Sequence, residues 1–121
     1  MKRTLSAGLI AAAIVGLGFG VAQAHPKLLS SNPPPNARVA APAELRLGFS
    51  ETLIGKFSRI ALMDSRGHPV RVGATALAPD HRQLVAPLGA RLSPGNYKVS
   101  WKAVSTDTHR VQGGYAFTVV R

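Results

Sequence analysis

The sequence of 121 residues contains no cysteine. This absence excludes disulfide frameworks, zinc ribbons, thiol catalysis and cysteine-ligated iron–sulfur clusters. Acidic residues are also scarce, because 5 Asp and Glu stand against 15 Lys and Arg, which gives a formal charge of +10 at pH 7. The length suits one ordinary domain and is too short for a two-domain enzyme, a P-loop NTPase or a Rossmann oxidoreductase.

The first 24 residues are predicted to be a cleaved secretory signal peptide. A short basic start precedes an apolar, uncharged stretch from Leu5 to Val21, and Ala22-Gln23-Ala24 supplies the small residues that a signal peptidase reads. A retained membrane anchor is the alternative, since a spanning helix needs about 17–25 residues. Cleavage after Ala24 leaves residues 25–121 as one domain in the periplasm, with no stable membrane insertion. Two basic residues leave with the signal, so the remaining charge is +8.

Residues 25–121 show period-two alternation of apolar side chains and no helical stripe. Leu45, Leu47 and Phe49 share one face, and similar alternation runs over 97–103 and 115–119. Clusters rich in Pro, Gly, Asn and Asp separate about seven such runs, a pattern that predicts an all-β sandwich or small barrel. Trp101 is expected to anchor the core between two sheets.

Cleavage would change the chemistry of His25. As the first residue, it offers a free α-amine and an imidazole, which together close a chelate ring on one metal ion. Pro26 has no N–H, so it cannot provide the deprotonated amide ligand that many copper-binding N-termini use. The N-terminus therefore contributes two nitrogens, and any further ligand must come from the fold.

Asp107-Thr108-His109 is the best source of those further ligands. In an extended backbone, side chains two residues apart project to the same side, with Cα atoms about 6.6 Å apart. With His25, the pair gives three nitrogens and one oxygen, a set that suits tetragonal Cu(II) better than Ni(II) or Zn(II). The competing interpretation is that Asp107 caps a turn and His109 is solvated, because D-x-H alone is a weak pattern.

Several segments, in order along residues 25–121, resemble the CopC family of periplasmic copper-binding proteins, also called PcoC. They are His25 to Leu28, Ser31 to Pro34, Leu47 to Glu51, Leu92 to Tyr97, Trp101 to His109 and Gly113 to Val119. The resemblance implies a Greek-key β-sandwich of immunoglobulin-like or cupredoxin-like shape. It also implies a copper carrier that binds one Cu(II) through His25, Asp107 and His109 and delivers it to an inner-membrane copper importer of the CopD type.

Three positions bear on the details of that resemblance. Glu51 matches an acid of the family and is a candidate axial ligand or a group behind the ligands; a solvated acid at a strand end is the alternative. Members with a second, Cu(I) site carry a Met-rich segment, whereas Met63 is the single methionine after residue 24 and is expected in the core. No Cu(I) site is therefore expected. Arg110, where the family often has Pro, is expected to reduce the affinity or to pair with Asp107.

Two other functions compete with a copper carrier. A metal-free extracellular immunoglobulin-like binding module is the first. The second is a histidine-brace copper oxygenase, which also uses an N-terminal His. The chain has few aromatic residues for a substrate face, and Asp107 would fill a coordination position that oxygen activation needs open. No enzymatic activity is therefore expected.

The positive charge and the remaining histidines are interpreted as features of a solvated surface. Export argues against a nucleic-acid partner, and the basic residues are scattered along the sequence without a run. Attraction to an anionic surface or an acidic partner stays open. His68 and His81 lie in turn-like segments and are interpreted as solvated loop residues.

Overall fold

The computed structural model describes residues 25–121, so the predicted signal peptide (1–24) lies outside the described residues. The strands are β1 (Leu28–Asn32), β2 (Arg38–Val39), β3 (Glu44–Phe49), β4 (Arg59–Asp64), β5 (Pro69–Val70), β6 (Ala76–Leu77), β7 (Gln83–Pro87), β8 (Gly95–Val104) and β9 (Arg110–Val119). A 3₁₀ turn, Gly55–Phe57, precedes β4. In this part of the chain, no helix is long and apolar enough to cross a membrane.

The strands form two sheets. One has the order β1-β3-β7-β6 and the other β2-β9-β8-β4-β5. Pairing is antiparallel throughout, except for the short parallel contact of β2 with β9. The predicted all-β sandwich is confirmed. The strand count exceeds seven because β2, β5 and β6 are edge strands of two residues each, too short to show alternation in the sequence.

The core lies between the two sheets and follows the alternation. Leu45, Leu47 and Phe49 of β3 are buried. The Trp101 ring packs against this core, with its centroid 6.2 Å from that of Phe49 in a T-shaped arrangement, as expected. The expectation for Met63 is wrong: its side chain lies on the outer face of β4, 36% exposed, because the alternate positions of that strand point inward.

Gly113 is one of the positions where the fold leaves no room for a side chain. A Cβ there would lie 2.6 Å from Cζ2 of Trp101, its partner across β8 and β9. We expect Gly113→Ala to lower the free energy of unfolding by about 2 kcal/mol, because the indole must shift in a packed core. Denaturant unfolding measures this. Gly89→Ala is the matched control, since a Cβ at Gly89 meets nothing within 4 Å; equal losses in both variants would contradict the packing explanation.

Candidate metal centre

The segment that follows β3 holds together one end of the sandwich. On one side, Ser50 N donates to Lys27 O at 2.9 Å, and Lys27 N donates to Ser50 Oγ at 2.9 Å. On the other side, Thr106 N donates to Thr52 O at 3.0 Å. The segment therefore places the start of the described chain beside the connection between β8 and β9. Pro26 is buried, which fixes the backbone just after His25.

The D-x-H motif lies in a tight turn between β8 and β9. Thr108 N donates to Ser105 O at 2.8 Å, and Ser105 N donates to His109 O at 2.9 Å. Thr108 has a φ of 73°, uncommon for a β-branched residue. The extended backbone expected from the spacing is therefore wrong, because a tight reversal connects the two long strands. The turn still brings the side chains together, with Asp107 Oδ2 3.1 Å from His109 Nδ1.

Asp107 is held by its neighbours in this turn. Its Oδ1 accepts a hydrogen bond from Ser105 Oγ. This bond, and after it the His109 imidazole, holds the pKa of Asp107 below its usual range. The side chain is 48% exposed. The carboxylate is thus both ionised and oriented, as a turn-capping residue would be, and one oxygen faces the imidazole.

His25 meets His109 across the gap between the N-terminal segment and the turn. Their ring centroids are 4.7 Å apart, with the planes at 68°. His25 is exposed, whereas His109 is half-buried. The structure thus brings His25, Asp107 and His109 to one place, although His25 and the motif lie at opposite ends of the folded domain's sequence.

The Nδ1 atom of His109 is the clearest indication of a missing partner. It is buried and lies 3.1 Å from Asp107 Oδ2, but within residues 25–121 it makes no hydrogen bond of acceptable geometry. Without a proton between them, Nδ1 and the nearby Asp107 oxygen are two lone-pair donors facing each other. If each of these two atoms were bound at about 2.0 Å to the same ion, with a right angle between the two bonds, the atoms would lie roughly 2.9 Å apart. The observed distance is 3.1 Å. The pair therefore fits a metal ion.

Side chains alone do not complete a metal site. Within residues 25–121, no group of three or more His, Asp or Glu side chains is placed to hold an ion. The backbone nitrogen of His25 is an additional nitrogen beside these side chains. That nitrogen belongs to a peptide bond while residue 24 is attached, and it becomes an amine only after cleavage.

The sequence also singles out four residues that make no hydrogen bond or ion pair with the side chains of His25, Asp107 or His109. Glu51 is half-buried in the segment between Lys27 and Thr106, and its carboxylate has no hydrogen bond or ion pair within the described residues. His68 lies at the far end of β4, exposed and 4.0 Å from Asp64. His81 is exposed, as expected. Arg110 is exposed and makes no ion pair with Asp107.

Sequence reasoning missed how the turn at His81 supports this end of the sandwich. The carbonyl of His81 accepts from Leu53 N at 2.8 Å, and that of Arg82 accepts from Phe49 N at 2.8 Å. His81 adopts a φ of 60° to make this turn. These contacts use backbone atoms, so they leave no residue-specific mark, although the Pro79-Asp80-His81-Arg82 cluster does indicate a turn.

Comparison with known proteins identifies the family. The sequence profile of the CopC domain matches residues 28–120. The chain belongs to the CopC family. The resemblance seen in the sequence is thereby confirmed. The matched range covers nearly all the residues that the structure describes.

Alignments with two named relatives cover 98% of this chain. Copper resistance protein C of Pseudomonas syringae pv. tomato is 40% identical over 125 aligned positions, covering 98% of both chains. Copper resistance protein C of Escherichia coli is 39% identical, covering 98% of this chain and 95% of its own. The crystal structure of PcoC, a methionine rich copper resistance protein from Escherichia coli, matches with a TM-score of 0.73 at 41% identity, over 80% of this chain and 100% of that one.

Proposed function

We propose that this CopC-family chain is a periplasmic copper carrier. After removal of residues 1–24, it binds one Cu(II) through His25, Asp107 and His109. The observation that carries the proposal is the meeting of the two imidazole rings at 4.7 Å, beside a buried Nδ1 without a hydrogen bond. Copper is proposed as the metal because the relatives are named copper resistance protein C.

Each residue has a distinct part in holding the ion. His25 contributes an amine and an imidazole from one residue, so the second nitrogen binds with little additional loss of freedom. His109 is half-buried and fixed by the strand that follows it, and Asp107 is oriented by the Ser105 hydroxyl. The Asp107 carboxylate neutralises part of the ionic charge. Because His25 is exposed, an acceptor can approach from its side.

The donor set favours Cu(II) over Cu(I). Nitrogen and carboxylate ligands suit the divalent ion, whereas Cu(I) prefers several soft thioether ligands. The relative of known structure is described as methionine rich, whereas this chain has only two methionines, one of them the initiator. Met63 lies on the outer face of β4 and remains one thioether by itself. No Cu(I) site is proposed.

Glu51 is proposed as the axial group of the same centre. It lies in the segment that bridges the N-terminal residues and the Asp107 turn, and no side chain within the described residues pairs with it. An additional oxygen donor would close the coordination position that oxygen activation requires. This arrangement favours a carrier over a histidine-brace oxygenase.

Location and partner are proposed from the predicted signal and from the sequence resemblance to the family. A cleaved signal places the folded domain in the periplasm, where an inner-membrane importer of the CopD type would be the acceptor. A metal-free binding module would instead show no response of His25 to added copper. Equilibrium titration of the secreted protein with Cu(II) distinguishes the two functions.

The copper affinity is expected to fall as the pH falls. Protons compete with the ion for the amine and for both imidazoles, so binding releases protons. With at least one proton displaced, we expect the dissociation constant to rise at least about tenfold for each pH unit between pH 7 and pH 5. Titration at four pH values with a competing chelator measures this dependence. One Cu(II) per chain at pH 7 with a flat profile down to pH 5 would contradict a nitrogen-based site.

A further inference from the structure

Basic side chains that are scattered along the sequence lie together in the fold. A groove of about 1020 Å³ runs beside the 3₁₀ turn and over the outer face of the five-stranded sheet, and its cationic lining residues are Lys56, Arg59, Lys102 and Arg110. No Asp or Glu lines it. A shallower groove of about 550 Å³ shares Arg59 and Lys102 and adds Lys98. The basic residues that are scattered along the sequence are therefore concentrated on this face of the fold.

The arrangement of these charges works against stability. Arg59 and Lys102 are direct partners across β4 and β8, and both are exposed on the same face. Like charges directly opposite each other in an antiparallel pair are destabilising. The ion pairs within residues 25–121 involve Glu44, Asp64 and Asp107, and none of them includes a cation of the groove. Because no described carboxylate pairs with these cations, they can bind a ligand of opposite charge.

An exposed aromatic residue adds an apolar contact at the same place. Phe57 lies in the 3₁₀ turn, lines the larger groove and is 54% exposed. The Nζ atom of Lys56 lies 5.1 Å from the centroid of its ring. Aromatic residues combined with Arg are enriched in protein interfaces. A recessed groove with an apolar contact fits a polypeptide segment better than the flat surface of a bilayer.

We propose that this groove docks an acidic segment of a partner protein. Arg59 and Lys102 bind carboxylates of that segment, and Phe57 packs against one of its apolar side chains. Arg110 follows His109 directly, so the docked segment lies next to the candidate metal centre. We identify this partner with the copper acceptor, an identification that rests on the proposed function; the docking surface itself does not depend on it.

The test uses the secreted protein without copper and a fluorescein-labelled peptide of eight glutamates around one tryptophan. Fluorescence anisotropy at 0.15 M salt gives its affinity. We expect Arg59→Glu to weaken binding at least tenfold, and Arg91→Glu to weaken it less than threefold. Both arginines are exposed, and both variants change the net charge equally, but Arg91 does not line either groove.

Thermal unfolding separates docking from folding in the same variants. Arg59→Glu places a carboxylate opposite Lys102, so its Tm is expected to rise by about 2–4 °C while peptide binding falls. Phe57→Ser is expected to weaken peptide binding about fivefold with the Tm unchanged. Loss of peptide binding together with a lower Tm in both variants would overturn the proposal, because the loss would then reflect folding.

Two further outcomes would overturn it. Equal weakening by Arg59→Glu and Arg91→Glu would show that net charge alone attracts the peptide. Binding to vesicles of one part phosphatidylglycerol and three parts phosphatidylcholine, with no binding of the peptide, would assign the groove to a membrane surface. Copper titration of Arg59→Glu is expected to give the same stoichiometry as the unchanged protein, so failure of the docking proposal and failure of copper binding are distinguishable.

Discussion

A chain with one additional residue before His25 is expected to bind Cu(II) roughly a thousandfold more weakly than the chain that begins at His25, a loss of about 4 kcal/mol. The addition turns the amine into a peptide nitrogen and breaks the chelate ring. Pro26 cannot replace the lost donor, because its nitrogen carries no proton. Asp107 and His109 then bind the ion with the single imidazole of His25. Competition against a chelator of known affinity measures the difference.

The matched control carries the same residue after Arg121. Arg121 is exposed and follows β9, so we expect no change in affinity. Thermal unfolding without copper should give the same Tm for both extended chains, because His25 is exposed and makes no backbone hydrogen bond of its own in the described residues. Equal copper affinities with and without the N-terminal addition would show that the amine is not a ligand.

His109→Ala is expected to weaken Cu(II) binding roughly 300-fold, or about 3.4 kcal/mol. In the proposed site the ring supplies the half-buried donor; its centroid lies 4.7 Å from that of His25, and its Nδ1 lies 3.1 Å from Asp107 Oδ2. Removing the ring is expected to cost the fold little, because the ring is only half-buried and its contact with Asp107 lies in an exposed turn. Copper titration and thermal unfolding of the same sample separate loss of binding from loss of structure.

His68→Ala is the control for that substitution. His68 also follows an aspartate and lies 4.0 Å from it, but it is 70% exposed and lies at the other end of β4. We expect its replacement to leave the copper affinity within about twofold of the unchanged protein. A large loss in His68→Ala, or unchanged binding in His109→Ala, would place the ion elsewhere.

The sequence predicts the fold well where strands are long. In β3, β8 and β9, the alternation of apolar and polar side chains over six to ten residues predicts which face is buried. Strands of two residues show too little alternation for their buried face to be predicted. Met63 shows a second limit, because an apolar residue was assigned to the core although Ile60 and Leu62 already determine which face of β4 points inward.

The site could be predicted in its residue types but not in its geometry. A His that the predicted cleavage would place at the N-terminus and a D-x-H pair indicate nitrogen and oxygen donors. The turn at Thr108 brings the pair together in a way that spacing alone does not predict. The basic groove could not be predicted either. Arg59 and Lys102 become neighbours only through the register of β4 with β8, which a linear count of charges does not contain.

Completion of the copper site by removal of the residues before His25 is the claim on which the proposed function depends. Native mass spectrometry of the secreted protein with added Cu(II) reads the first residue and the number of bound ions in one spectrum. We expect the mass of residues 25–121 and, with copper, that mass plus one ion. One copper bound to a chain with any other first residue would contradict the claim.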